Sequence, residues 1–387
     1  MVLKIADNIY SPLGKTTEEN YAAVKQGHSM LRSYPAGTMD LPEPFTASLF
    51  DWDSVDLIDG YTHFESIVIQ SVRRALEQTD IDVQAPDVQF ILSTTKGNVD
   101  LLDSRAPAFP PDRVLPGVSA QYIADYFGFS RVPLVVSNAC ISGLSAQITA
   151  LRLLESGACR TAVVAGADVQ SRFIISGFGS FKALSPQECR PFDIERIGLN
   201  LGEAAATIIY TNSQESSQRH TLTEPIANSQ SWQAVRGAVR NDAFHISGPS
   251  PKGEGSYRAI RAALGDEPAS ALAMVNVHGT STLYNDEMES AAIDRAGLLD
   301  VPVNSLKGYY GHTMGAAGVL ETVLSMRALD DGIVLGTRGF EDLGVSHRVR
   351  VSSQHSKTDR QSFLKLLSGF GGCNAAMLFR KEAGNKL

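Results

Sequence analysis

The chain has 387 residues, of which 43% are apolar and 20% are charged, and its formal net charge is −8. This length exceeds the roughly 250–300 residues at which single hydrophobic cores stop growing, so two domains or two fused halves are expected. The sequence contains no basic stripe for nucleic acid, no polybasic segment for a membrane surface and no apolar run of about 18 residues that would span a bilayer.

The N-terminus and the cysteines indicate a cytoplasmic protein. Lys4 and Asp7 interrupt the apolar run of the first ten residues, which is therefore unlike a secretory signal peptide. The chain contains Cys140, Cys159, Cys189 and Cys373. These cysteines lack metal-ligand spacing, and in a large chain without an export signal free thiols are expected.

Short β-branched runs alternate with helical patterns along the chain. Strands are predicted at residues 88–93, 133–137, 161–165, 205–210, 271–277 and 301–305. Helices are predicted at residues 142–156, 257–264 and 316–329, where apolar residues recur at helical spacing. This alternation indicates an α/β fold, and the near-continuous apolar strands suit a parallel sheet that is covered on both faces.

The clearest candidate domain boundary is the polar stretch at residues 212–221. It has no apolar anchors and follows the strand predicted at residues 205–210. It divides the chain into two parts of comparable size, residues 1–212 and residues 213–387. No short sequence repeat relates the two parts, so any structural duplication cannot be detected from the amino-acid sequence.

Cys140 lies in the segment VVSNACISGLSAQ, between a strand that ends near Ser137 and a helix that begins just past the cysteine. At such an elbow the free backbone N–H groups and the helix dipole favour an anion. The setting is therefore expected to lower the pKa of the thiol from about 8.5 and to make it a nucleophile. The alternative is a small buried hydrophobe, which is the usual role of a free cysteine.

Two histidines follow predicted strands, His278 directly and His312 after a loop that contains glycines. His278 lies in VNVHGTSTLYNDEME, and His312 lies in VNSLKGYYGHTMGAAG. The carboxyl ends of strands are where α/β folds place their chemistry. A lone histidine is more often structural, but two at matching positions, together with Cys140, favour catalysis. No Cys, Asp or Glu stands near them at metal-ligand spacing, and HGT differs from the HExxH zinc motif, so no metal is expected.

Seven ordered segments of the chain resemble the β-ketoacyl-acyl-carrier-protein synthases, which are elongating condensing enzymes of the thiolase-like superfamily. The segments are IYSPLGKTTEENYAAVKQG, the NAC elbow at Cys140, RPFDIERIGLNLGEAAA, NDAFHISGPSPKGEG, HGTSTLYNDEME, SLKGYYGHTMGAAG and GFGGCNAA. The resemblance implies a thiolase-like five-layered αβαβα fold of two similar halves. Residues 1–212 would form the half that carries the nucleophile, and residues 213–387 the half that carries the histidines.

The resemblance also implies catalytic roles. Cys140 matches the nucleophile that accepts the acyl group. His278 and His312 match the pair that holds the malonyl thioester and assists its decarboxylation. Phe370 matches the residue whose backbone N–H joins that of Cys140 in an oxyanion hole.

Further matches concern the surroundings of these residues. Lys307 matches a lysine near the second histidine, and Glu321 its acidic partner; without the motif they would be taken for a solvated lysine and a surface carboxylate. Thr280 and Thr282 match residues that contact the pantetheine arm of the carrier, although they could merely form hydrogen bonds with backbone groups of the loop. Asp286 and Glu289 match supporting carboxylates.

The implied activity is a decarboxylative Claisen condensation with acyl carrier protein as partner, no cofactor, no nucleic acid and no membrane. A homodimer is expected, with a heterodimer of related subunits as the alternative. Relatives commonly have Asp where Ile197 stands and often an aromatic residue at Leu199, so a leucine there could alter which acyl chains enter.

Other functions remain open at this stage. The condensation could serve fatty-acid synthesis or a specialised pathway such as polyketide, aryl polyene or resorcinol lipid synthesis. A thiolase would need a second cysteine, for which Cys373 is a weak candidate, and a thioester hydrolase would need a catalytic water that nothing in the sequence suggests. A chain-length-factor-like subunit would typically lack the nucleophile at Cys140.

Overall fold

The computed structural model describes residues 1–103, 109–212 and 231–382. In the first half, the strands are β1 (Val2–Tyr10), β2 (Arg32–Tyr34), β3 (Phe45–Ser48), β4 (Val88–Ser93), β5 (Leu134–Val136), β6 (Thr161–Asp168), β7 (Leu201–Gly202) and β8 (Ala204–Asn212). In the second half, they are β9 (Trp232–Asn241), β10 (Leu272–Asn276), β11 (Pro302–Asn304), β12 (Ile333–Val334), β13 (Arg350–Val351), β14 (Ser356–Lys357), β15 (Ser362–Gly369) and β16 (Cys373–Lys381).

The helices of the described ranges connect these strands and cover them. They are α1 (Thr17–Lys25), α2 (His63–Leu76), α3 (Pro116–Phe127), α4 (Ser142–Glu155), α5 (Arg172–Ser180), α6 (Glu254–Leu264), α7 (Leu283–Arg295), α8 (Lys307–Tyr310) and α9 (Ala317–Asp330). None of them is long and apolar enough to cross a membrane.

Five strands in each half have the same order and the same directions. The first half has the order β5-β4-β6-β8-β1, and the second has the order β11-β10-β15-β16-β9. In each half the first three strands are parallel, and each later strand is antiparallel to its neighbour. The halves join where Leu3 of β1 pairs with Gln233 of β9. The chain is therefore built from two structurally equivalent units.

The parallel pairing expected from the apolar strands is confirmed for β4 with β5 and β6 and for β10 with β11 and β15. It is wrong for β8, predicted at residues 205–210, which is antiparallel to both of its neighbours. Continuous apolar runs report that both faces of a strand are buried, and burial does not depend on strand direction. The burial expected for residues 133–137 is also wrong. They form β5, the outermost strand of the first unit, and Leu134 is 38% exposed because helices and strands cover this edge incompletely.

Helices and sheets alternate in five layers. α2 packs on the outer face of the first unit, α4 and α9 lie between the units, and α6 packs on the outer face of the second. α4 and α9 approach at backbone distance, since a Cβ on Gly318 would lie 2.3 Å from the backbone nitrogen of Leu144. This contact brings the start of α4, after Cys140, against the start of α9, after His312.

Several predicted elements are confirmed. The strand predicted at residues 88–93 coincides with β4, and the helices predicted at residues 142–156 and 316–329 match α4 and α9 to within one residue at each end. The predicted boundary begins at Asn212, the last residue of β8, while residues 213–221 lie outside the described residues. The division at residue 212 therefore stays a prediction.

Candidate active site

Cys140 lies on a strained elbow between β5 and α4. Ala139 has a φ of 44°, in the left-handed region that non-glycine residues seldom adopt. The side chain of Ser142 stabilises this turn, because its Oγ accepts from the backbone N–H of Asn138 at 2.8 Å and donates to the carbonyl oxygen of Ala139 at 2.6 Å. The turn aims Cys140 away from the helix, into a pocket.

The pocket has a volume of about 520 Å³ and lies between the two units. Its walls include Cys140, His278 and His312, together with residues from both halves of the chain. Apolar side chains dominate the remainder: Phe178, Phe181, Ile197, Leu199, Phe244, Leu283, Tyr284 and Phe370. Such a cavity suits an apolar chain whose reacting end meets a few polar groups.

The thiol and the two imidazoles converge at one end of this pocket. The ligand-capable atoms of Cys140, His278 and His312 all lie within 4.8 Å of one another. The two rings stand nearly perpendicular, at 84°, with their centroids 4.9 Å apart. Three side chains separated by up to 172 positions in the sequence, which no spacing rule relates, thus share one small volume.

Both imidazoles are electrically neutral. Burial lowers their pKa values well below 6.5, and the nearby cations Lys307 and Lys365 lower them further. The Nδ1 atom of His312 accepts a hydrogen bond from the backbone N–H of Met314 at 3.2 Å, so in the neutral ring the proton is on Nε2. That buried Nε2 has no hydrogen-bond partner among the described residues and can donate to a bound oxygen.

The thiol is protonated at rest, which corrects the expectation from the helix N-terminus. Burial raises the pKa of Cys140 to about 11, although Lys307 and the backbone N–H groups of Phe370 and Cys140 act in the opposite direction. The increase in pKa caused by burial exceeds the decrease caused by the helix N-terminus, because the loss of hydration destabilises the thiolate and not the neutral thiol. The two N–H groups nevertheless lie within reach of the sulfur, where an oxyanion would form.

A buried ionic cluster lies behind the imidazoles. Glu321 on α9 accepts hydrogen bonds from Lys307 through Oε1 and from Lys365 of β15 through Oε2, the latter at 2.6 Å. All three side chains are at most 3% exposed. Sequence reasoning missed Lys365, although one lysine inside the apolar strand SFLKLLSG was a visible signal that a buried partner must exist.

Two carboxylates hold the loop that carries His278. Glu289 accepts from the backbone N–H groups of His278 and Gly279, each at 2.7 Å. Asp286 accepts from the backbone N–H groups of Thr280 at 3.0 Å and Ser281 at 3.1 Å. Burial raises the pKa of Glu289 to about 7 and that of Asp286 to about 6, against the opposing effect of these N–H donors. Both side chains therefore stiffen the loop from α7.

The other residues predicted for the site also reach the pocket. Thr280 and Thr282 line it, with 2.9 Å between their hydroxyl oxygens. Leu199 lines the wall, and its backbone N–H donates to the carbonyl oxygen of Ala183 at 2.8 Å. Cys373 is absent from the described lining; its thiol donates to the side-chain oxygen of Asn138 at 3.0 Å, behind the elbow.

A thiol with two imidazoles is a donor set that zinc accepts. Here the surroundings oppose a cation, because backbone N–H groups point at the sulfur and the cluster behind the rings contains two lysines and one glutamate. The same surroundings suit an oxygen atom that gains negative charge, as in acyl transfer.

Comparisons with known proteins agree with this geometry. The family model of the β-ketoacyl synthase N-terminal domain matches residues 5–215, and that of the C-terminal domain matches residues 233–341. The chain is 26% identical to 3-oxoacyl-[acyl-carrier-protein] synthase 2 of Vibrio harveyi over 96% of both proteins. It is 31% identical to the tetracenomycin polyketide synthase ketoacyl synthase alpha subunit of Streptomyces glaucescens over 64% of this chain and 59% of that protein.

Solved structures show the same fold. A β-ketoacyl synthase from Burkholderia phymatum is similar with a TM-score of 0.87 and 22% identity over 99% of both chains. A ketosynthase from Xenorhabdus doucetiae, in complex with its chain length factor, has a TM-score of 0.83 and 24% identity over 98% of both chains. The expected thiolase-like five-layered fold of two similar halves is thereby confirmed.

Proposed function

Because the chain belongs to the β-ketoacyl synthase family, we propose that this acyltransferase condenses an acyl group on Cys140 with malonyl-carrier protein. The observation that supports this most is the convergence of one thiol, two neutral imidazoles and two backbone N–H donors at one end of an apolar pocket. The apolar walls would hold the acyl chain, and the polar end would hold both reacting thioesters.

In the first step the sulfur of Cys140 attacks the carbonyl carbon of an acyl-carrier thioester. The oxyanion accepts hydrogen bonds from the backbone N–H groups of Cys140 and Phe370. The carbon–sulfur bond to the carrier then breaks, and the carrier leaves as a thiol with the proton that Cys140 gave up. The buried thiol thus needs no free thiolate before substrate arrives.

In the second step the malonyl group loses its carboxylate as carbon dioxide. The electron pair of the broken carbon–carbon bond forms an enolate, whose oxygen accepts from the imidazoles of His278 and His312. A neutral ring is sufficient for this step, because its single N–H can donate to the oxygen. The buried Nε2 of His312, which lacks a partner among the described residues, is placed for this donation.

In the third step the enolate carbon attacks the acyl carbonyl on Cys140. The same two backbone donors stabilise the second oxyanion. The bond to Cys140 then breaks, and the released thiolate takes up one proton from solvent. Lys307 and Glu321 would support the histidines from behind. Asp286 and Glu289 would hold the loop that carries His278, and Thr280 and Thr282 would contact the pantetheine arm.

The acyl preference depends on Leu199. Its buried side chain forms part of the pocket wall where relatives often carry an aromatic ring, so the residue at this position can alter which acyl chains enter. The condensation would serve fatty-acid synthesis or specialised polyketide, aryl polyene or resorcinol lipid synthesis, in the cytoplasm. The chain-length-factor alternative is disfavoured by Cys140.

A dimer formed along β5 is the favoured assembly. β5 is an outer strand, and unpaired edge strands are natural sites of pairing between chains. Large apolar side chains on or near it are exposed: Leu115, Tyr122, Tyr126, Val132 and Leu134. Native mass spectrometry of the purified chain, alone and with a related subunit, distinguishes a homodimer from a heterodimer.

The function is tested by incubating the protein with acyl-carrier and malonyl-carrier proteins and measuring both carbon dioxide release and β-ketoacyl product. Intact-mass spectrometry after acyl-carrier alone should show one acyl group on the wild type and none on Cys140→Ser. Cys373→Ser is the matched control and should still be acylated, because Cys373 lies behind the elbow. If neither the wild type nor Cys373→Ser is acylated by donors of any length tested, the proposal is contradicted.

A further inference from the structure

Lys365 is an ion inside a strand that is otherwise apolar. Its side chain is 0% exposed, and its Nζ donates to Glu321 Oε2 at 2.6 Å. The same Nζ contacts the carbonyl oxygen of Leu366 at 3.0 Å and that of Val277, the residue before His278, at 3.3 Å. A buried cation persists only where its donors are satisfied in this way.

The cluster around Lys365 carries an excess of positive charge. Lys307 and Lys365 share the single carboxylate of Glu321. Burial lowers the pKa of Lys365 to about 8, which still leaves it protonated at neutral pH. Glu289 faces the cluster from α7, but its oxygens accept backbone N–H groups and burial raises its pKa to about 7, so its compensation is partial.

We propose that Lys365 is a positioning residue of this site: its buried cation opposes protonation of His278 and His312 in addition to the effect of burial, and its hydrogen bond to Val277 holds the strand end before His278. The inference rests on the proposed function, in which both rings donate to the enolate oxygen. Glu321 already neutralises Lys307, so a second lysine is unnecessary for pairing that glutamate. Its effect is to oppose protonation of the two rings.

The contact with Val277 gives Lys365 a second, geometric effect. β10 pairs in parallel with β15, and Val277 follows the last residue of β10. A hydrogen bond from Lys365 to this carbonyl ties the strand end that leads into His278. The same side chain therefore opposes protonation of both imidazoles and limits the movement of one.

The experiment compares the wild type with Lys365→Met, which keeps a similar side-chain length and removes the charge. Lys381→Met is the matched control, since Lys381 on β16 is also mostly buried and paired, with Asp330 at 2.9 Å, away from the pocket. Histidines labelled with carbon-13 are titrated by NMR, and the signals of His278 and His312 are assigned from their alanine variants.

Both assigned imidazoles should titrate at a higher pH in Lys365→Met than in the wild type, as expected when a nearby like charge is removed. The acidic limb of malonyl-carrier decarboxylation should move upward by the same amount. Lys381→Met should leave both unchanged. Identical imidazole midpoints in wild type and Lys365→Met would overturn the proposal, and so would an equal shift in the control.

Failure of the proposed function gives a different result. A wild type that never decarboxylates malonyl-carrier protein refutes the condensing activity, while the NMR comparison still decides the role of Lys365. If Lys365→Met does not fold, the wild type labelled with nitrogen-15 at lysine Nζ provides the test. A protonated Lys365 amine at pH 7 is expected, and a neutral amine would overturn the inference.

Discussion

Replacing His312 with alanine tests the decarboxylation step most directly. The imidazole is 1% exposed, its Nδ1 is occupied by Met314, and its Nε2 is a buried donor with no partner in the described structure. It is one of two donors available to the enolate oxygen, and losing one such donor raises the barrier by on the order of 3 kcal/mol. Malonyl-carrier decarboxylation should therefore fall about 100- to 200-fold.

The assay measures carbon dioxide release from malonyl-carrier protein at pH 7, together with thermal unfolding. Loss of the imidazole leaves the N–H of Met314 unpaired, which should lower stability by about 1–3 kcal/mol. His355→Ala is the matched control, because His355 Nδ1 also accepts a backbone N–H, from Gly336 at 2.8 Å, outside the pocket. A folded His312→Ala protein that decarboxylates within threefold of the wild type would refute the assigned role.

Three further predictions concern the nucleophile and the packing between units. Cys140→Gln should lose condensation but retain decarboxylation, because the imidazoles survive; loss of both reactions in a folded variant, measured in parallel assays, contradicts this division of roles. Because burial raises the pKa of Cys140 to about 11, its thiolate fraction should rise about tenfold per pH unit between pH 7 and 10. The rate of iodoacetamide labelling should rise in the same way, and a rate that levels off by pH 8 would argue against burial as the dominant effect. Gly318→Ala should lower the unfolding temperature because its Cβ would meet the backbone of Leu144, whereas Gly177→Ala in α5, with open space around it, should leave that temperature unchanged or raise it slightly.

Local sequence patterns were sufficient for much of the fold. The strand at β4, the helices α4 and α9 and the elbow at Cys140 depend on neighbours within about fifteen residues, so apolar spacing and small residues predict them well. Strand direction and the identity of β5 as an edge strand were out of reach, because both depend on which distant strands pair.

The sequence by itself determined which side chains are chemically able to act: one thiol at a strand-to-helix elbow and two histidines at strand ends, in motifs that resemble one family. Only the tertiary structure decided how these groups are charged. Burial holds Cys140 as a thiol and both imidazoles as neutral rings, and Lys365 adds a cation that no motif announced. The physical reason is that desolvation and charge–charge interactions depend on distance in space, which residue spacing along the chain does not reveal.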